Sequence, residues 1–154
     1  MDKAAKRIYI SSDHGGFDYK EMLKERLAGA GHDVRDMGNV IDDPQDDYPD
    51  FIIPMAETVA AEPGSLGIVL GRSGNGEQIA ANKARGIRAA LCLNVEMARK
   101  AREHNDAQVL ALGADYVSEG EALAIAEAFI ATPFSGEPRH QRRIDKISNF
   151  EGNK

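Results

Sequence analysis

Residues 66–83 read Leu-Gly-Ile-Val-Leu-Gly-Arg-Ser-Gly-Asn-Gly-Glu-Gln-Ile-Ala-Ala-Asn-Lys, and this stretch restricts the fold most tightly. Leu66 to Leu70 is a short apolar run with β-branched Ile68 and Val69, which reads as a buried strand. Gly71, Gly74 and Gly76 follow, and Glu77 to Lys83 reads as the start of a helix. Glycines let a backbone take positive φ and approach a ligand closely. The helix that follows presents unpaired N–H groups and the positive end of its dipole. Glu77 then has two readings. It is a first-turn capping charge, or it is a base beside a transient oxyanion, as proton transfer next to a carbonyl requires. The glycine spacing is neither the dinucleotide fingerprint nor a Walker loop, which needs Gly-Lys-Ser/Thr where Gly76-Glu77-Gln78 stands.

The rest of the chain repeats the strand-then-helix pattern. Arg7 to Ser12 is expected as the first strand, then Asp13-His14-Gly15-Gly16 and a helix over 17–30 closed by Gly31. Asp33 to Met37 follows as a strand, and the polar run from Asp42 to Pro49 as a solvated loop. A helix is expected over 50–61 with Pro54 near its first turn, and Glu62-Pro63-Gly64 breaks it. After the glycine turn come a strand at 88–93 that buries Cys92, a helix capped by Asn94, and a strand at 108–112. A helix with a Ser118/Glu121 capping box ends before Pro133, and a last helix covers 137–150. Five alternations predict an α/β, three-layer Rossmann-like sandwich. It holds a five-stranded, all-parallel, doubly wound sheet with helices on both faces, plus an extra C-terminal helix.

The 154 residues suit one domain, and one cysteine excludes an internal disulfide and fits a reducing cytoplasm. A net charge of −6 argues against a general nucleic-acid binder. No apolar run nears the roughly 20 residues that span a bilayer, and the N-terminus lacks an apolar signal core, so a cytoplasmic protein is expected. The acidic loop lacks EF-hand spacing, and no metal is expected.

Ligands of doubly wound sheets bind beyond the carboxyl ends of the strands. Asp13, His14, Ser73 and Glu77 all lie there, and in a flavodoxin-like strand order the first and third strands are neighbours. These four residues are therefore expected to share one pocket. Asp13 alone also reads as a helix cap. His104 and Asn105 fall between a helix and the next strand, at the opposite pole. If they are functional, they serve a partner's pocket across a dimer interface. Arg139 and Arg143 lie four apart on one helix face with His140 beside them, as an anion site or a solvated face.

Five segments together resemble the ribose-5-phosphate isomerase B family and its galactose-6-phosphate isomerase relatives. They are Ser12-Asp13-His14-Gly15-Gly16, Asp47-Tyr48-Pro49, Gly71 to Lys83, Arg102-Glu103-His104-Asn105-Asp106, and Arg139-His140-Gln141-Arg142-Arg143. The resemblance runs from about residue 7 to 150 and implies an aldose–ketose isomerase without metal or cofactor. It also implies a homodimer, or a tetramer, with sites shared between subunits. Some members carry a catalytic cysteine at the position of Gly71; this turn resembles the Gly-Asn-Gly-Glu branch, whose base is the glutamate, here Glu77. By resemblance, His104 with Asp13 opens the sugar ring, Glu77 moves a proton between C2 and C1, and Ser73 shuttles the hydroxyl proton. The N–H groups from Gly71 through Arg72, Gly74 and Asn75 to Gly76 hold the enediolate, and Asn105 binds sugar hydroxyls. His14, Tyr48, Arg139, His140 and Arg143 complete the sugar-phosphate site.

The family usually has a phosphate-contacting arginine where Asp115 stands, and a small residue where Arg72 stands. Two readings follow: ribose 5-phosphate with Arg72 as a substitute charge, or a different tetrose, pentose or hexose, phosphorylated or free. A non-catalytic sugar- or nucleotide-binding module is a third, which has no need of a base.

Overall fold

The computed structural model describes residues 4–152. The chain runs β1 (Arg7–Ser12), a 3-10 turn (His14–Gly16), α1 (Phe17–Gly29), β2 (Asp33–Asp36), α2 (Pro49–Ala61), β3 (Leu66–Gly71) and α3 (Asn75–Asn82). It continues through β4 (Ala89–Leu91), α4 (Val95–Asn105), β5 (Val109–Gly113), α5 (Glu119–Ala131) and α6 (Pro138–Gly152). Every strand pair is parallel, in the order β2-β1-β3-β5-β4. Among the described residues no helix is long and apolar enough to cross a membrane.

Alternation along the strands assigns the two faces. Ile68 and Leu70 of β3, with Ile8, Ile10, Leu110 and Leu112, pack against Leu23 and Leu27 of α1, Ala98 and Ala101 of α4, and Ile125 and Phe129 of α5. Val69, Val109 and Ala111 point the other way, onto Ile52, Met55 and Val59 of α2 and Ala80 and Ala81 of α3. Each layer thus has its own core, and β3 and β5, buried along their whole length, form the middle of the sheet.

The expected flavodoxin-like order 2-1-3-4-5 is corrected at one end. β1 and β3 are neighbours as expected, but β5 lies between β3 and β4. The continuous apolar run Val109–Gly113 takes the fully covered position, and the three-residue β4 takes the edge. Asn82 closes part of that edge, accepting from Ala89 N at 2.8 Å and donating to Ala89 O at 3.1 Å.

Several boundaries also shift. α2 starts at Pro49, leaving Pro54 inside it, and α3 starts at Asn75 because Gly74, at φ 79°, ends the turn in the left-handed conformation. The Asn94 cap and the Ser118/Glu121 capping box form as expected. Cys92 lies just past β4 and is buried, which pushes its thiol up to about 11.

α1 is fastened to β2 through charge. Lys20 is fully buried, 2.7 Å from Asp36 Oδ2, while Lys24 reaches the same oxygen at 2.6 Å. Burial alone would raise the Asp36 carboxyl, but the two lysines and the Gly38 N–H hold it below its usual value. Its stabilisation is therefore present above the unfolded carboxylate pKa and is lost as pH falls through the lower folded value. Lys20→Met strands part of a buried pair and is expected to cost about 3 kcal/mol at pH 7 in urea unfolding. That loss shrinks in acid, where Asp36 no longer needs a partner.

Candidate active site

The candidate base is placed by β3 and α3 together. Glu77 lies in the first turn of α3 and is only 4 % exposed, so its carboxyl folds back over the end of β3. A Cβ at Gly71 would overlap Glu77 Oε1 and Cδ and lie 2.6 Å from Oε2. Gly71 is thus glycine because the carboxylate occupies the place of its side chain. Burial raises the Glu77 carboxyl above its ordinary value, its own backbone N–H opposes this, and the Asp13 charge adds to the rise. A carboxylate with a raised pKa beside a second one is tuned to take and return a proton.

The turn surrounds this group. Ser73 Oγ accepts from Asn75 N at 3.1 Å, so one of the N–H groups expected to hold an oxyanion is engaged within the turn. Gly74 is seated against the Leu112 backbone and the Leu91 side chain. The Tyr48 ring rests on Gly76, where a Cβ would lie 2.7 Å from Tyr48 Cζ. Asp13 is buried and accepts from Gly15 N at 2.9 Å, capping the 3-10 turn rather than α1 itself. Asp13, His14, Tyr48, Gly71, Arg72, Ser73, Gly74, Asn75, Gly76 and Glu77 therefore gather at the carboxyl ends of β1 and β3.

The acidic loop is not wholly solvated, which corrects the reading from sequence. The Asp46 side chain is 7 % exposed, and its Oδ1 lies 2.7 Å from His14 Nδ1 and accepts from His14 N at 3.2 Å. Asn39 Nδ2 donates to Asp46 Oδ2 at 2.6 Å, and Ser12 Oγ donates to Asn39 Oδ1 at 3.3 Å. Sequence reasoning missed Asp46 and Asn39, because nothing in an Asp-rich run marks the one member that folds inward. Ligand atoms of Asp13, His14 and Asp46 lie within 4.8 Å of one another. Hydrogen bonds already engage both Asp46 oxygens and Asp13 Oδ1, and we read the group as a brace for His14.

The Asp46 hydrogen bond, with Asp13 nearby, raises the His14 imidazole above its ordinary value against burial and the Arg72 charge. Asp46→Asn is expected to lower the His14 pKa, read by NMR titration of the ring protons.

His104, Asn105, Arg139, His140 and Arg143 lie elsewhere. Arg88, just before β4, donates from Nε to Asn105 O at 2.7 Å, which puts the end of α4 at the amino pole of the sheet. The His104 and His140 rings are 4.3 Å apart between centroids, and Ser135 Oγ lies 2.9 Å from His140 Nδ1. His140 is buried within its own chain rather than displayed beside the two arginines. Burial, His104 and Arg139 hold its imidazole below the ordinary value. Arg139 and Arg143 are exposed on α6, with Arg139 Nε 2.8 Å from Glu137 Oε2.

A parallel α/β sheet carrying a buried, raised-pKa carboxylate over a glycine turn defines the class, an acid–base enzyme working at the carboxyl ends of the strands. A family model described as Ribose/Galactose Isomerase matches residues 8–147. The chain belongs to that family. Ribose-5-phosphate isomerase B of Mycolicibacterium paratuberculosis is 52% identical over 145 residues, covering 94% of this chain and 91% of that protein. The structure of Clostridium thermocellum ribose-5-phosphate isomerase B superposes with a TM-score of 0.91 at 43% identity, covering 96% of this chain and 98% of that one. That of Mycoplasma genitalium, solved with bound ribulose-5-phosphate, superposes with a TM-score of 0.92 at 39% identity, covering 96% and 97%.

Proposed function

We propose that this enzyme interconverts ribose 5-phosphate and ribulose 5-phosphate by proton transfer through an enediolate, with Glu77 as the base. The observation that carries the reading is the Glu77 carboxylate, buried against Gly71 with its pKa raised and Asp13 beside it. The relatives named ribose-5-phosphate isomerase B and the ribulose-5-phosphate complex among them supply the substrate. C1 and C2 are adjacent, so one carboxylate reaches both, provided donors hold the oxyanion between the two transfers. Ser73 shuttles the hydroxyl proton, the remaining N–H groups of the turn face the enediolate, and Asp13 with a His104 opens the ring.

That His104 comes from a second subunit. In its own chain it lies at the pole opposite Glu77, as do Asn105, Arg139, His140 and Arg143. A homodimer carries these residues to the neighbouring pocket, where Asn105 binds sugar hydroxyls and the arginines approach the phosphate beside His14. The position of β4 at the edge of the sheet, only partly closed by Asn82, supports this arrangement. A cavity of about 410 Å³ follows that edge, lined in part by Gln78, Arg88, Asn105 and Ile147. Ile79, Leu93, Met97, Ile147 and Phe150 are exposed large apolar residues. The chemistry needs no metal or cofactor, and the single cysteine suits a cytoplasmic setting.

A second reading keeps the chemistry and changes the sugar. It rests on Asp115, an exposed carboxylate beside the glycine turn that would repel a phosphate. The deciding experiment measures isomerisation of ribose 5-phosphate beside other aldoses, with and without phosphate. Ribose 5-phosphate is expected to be turned over best, and better turnover of another sugar would overturn the substrate. For the shared site, Glu77→Gln and His104→Asn chains are mixed after mild dissociation. Recovered activity is expected, and none would overturn the exchange of residues between subunits.

A further inference from the structure

The five loops at the carboxyl ends of the strands hold one lysine or arginine, and it is Arg72. The other fixed charges there are Asp13, Asp42, Asp43, Asp46, Asp47 and Asp115. Within its own subunit, a dianionic sugar phosphate entering such a rim meets a fixed positive charge only at Arg72.

The position of Arg72 is built. Its stem lies over Gly15, where a Cβ would come 2.7 Å from Arg72 Cγ and 3.3 Å from Asp13 Oδ1. Stem and carboxylate thus flank a single point at the end of β1. The backbone of Arg72 is tied to the neighbouring loop, since its carbonyl accepts from Asp115 N at 2.9 Å. Its Nη1 lies 3.9 Å from Asp115 Oδ1, with both side chains more than half exposed. An exposed ion pair at that separation is weak. A guanidinium held so loosely can exchange a carboxylate for a phosphate, which it binds through two parallel hydrogen bonds.

Resting on the isomerase reading, we infer that Arg72 is the phosphate anchor that each subunit supplies to its own pocket, with Asp115 as its counter-ion when the pocket is free. Arg72 therefore sets the preference for phosphorylated sugars, and Asp115 limits its strength by competing for the same guanidinium.

The test compares the full-length protein with Arg72→Ala, Arg72→Lys and Asp115→Asn, using inorganic phosphate as the probe. Phosphate affinity is read by calorimetry and as competitive inhibition. Arg72→Ala is expected to weaken phosphate at least tenfold and to raise KM for ribose 5-phosphate in parallel, more than it lowers kcat. Arg72→Lys restores part of the affinity, and Asp115→Asn tightens both values. Unchanged phosphate affinity in Arg72→Ala overturns the inference. So does a fall in kcat alone, which would mean that Arg72 only shapes the turn. Absence of ribose 5-phosphate turnover in the unmodified enzyme overturns the substrate reading instead, and calorimetry with phosphate still decides the anchor.

Discussion

Glu77→Gln is expected to lower kcat for ribose 5-phosphate by about 10²–10⁴-fold, with KM nearly unchanged, because the amide keeps the shape of the side chain and loses the base. Exchange of the C2 proton with deuterated water should fall with it, since the group that takes the proton is the group removed. The same substitution should raise stability at neutral pH. The folded pKa of Glu77 is raised chiefly by burial, so the fold prefers the protonated acid. Stability linked to that proton is fully present below the unfolded carboxylate pKa and is lost as pH rises through the higher folded value. Glutamine cannot lose a proton. Its Tm should therefore exceed that of the unmodified enzyme at pH 7 and converge with it near pH 4. Undiminished turnover in Glu77→Gln would remove Glu77 from the mechanism.

Gly71→Ala should be nearly as damaging without touching a chemical group. The added methyl takes the space where the Glu77 carboxyl lies, so the base must swing out of the pocket. A displacement near 1 Å in a catalytic group can cost about 10²-fold. We expect a loss of at least that size in kcat, a Glu77 pKa that falls toward the ordinary range as the carboxyl gains water, and far-UV circular dichroism unchanged. The acid limb of the pH–rate profile should move to lower pH. A Gly71→Ala enzyme with full kcat would mean that the folded-back carboxyl is not the working geometry. The contact also explains the departure noted in the sequence: a cysteine at position 71 and Glu77 in this position are mutually exclusive, because both require the same volume.

Much of the fold was legible because its signals are local. The span Arg7–Ser12 matches β1, and the Ser118/Glu121 box matches the start of α5. Where reading fell short, the deciding contact was distant. Gly74 in the left-handed region moves the start of α3 to Asn75, ahead of the expected Glu77. Asp46 resembles its acidic neighbours in composition and differs from them only by meeting His14 and Asn39.

The sequence by itself determined the alternating α/β architecture and the strand–glycine–helix element, and it supplied Glu77 as the candidate base. Periodicity, capping and glycine chemistry act over a few residues and can be read from neighbours in the chain. It also separated His104 and Asn105 from Glu77, because α/β connectivity alone sends them to the other pole. Only the tertiary structure decided that β5 lies between β3 and β4, which brings the Ala114 and Asp115 N–H groups to the carbonyls of Gly71 and Arg72. Only it folded the Glu77 carboxyl onto Gly71 and buried Asp46 beneath His14. Strand order is set by which apolar runs can be covered on both faces and along both edges, and that competition involves the whole chain at once. For that reason the charges around the pocket, Arg72 and Asp115 above all, acquire their meaning from packing that no short stretch of sequence encodes.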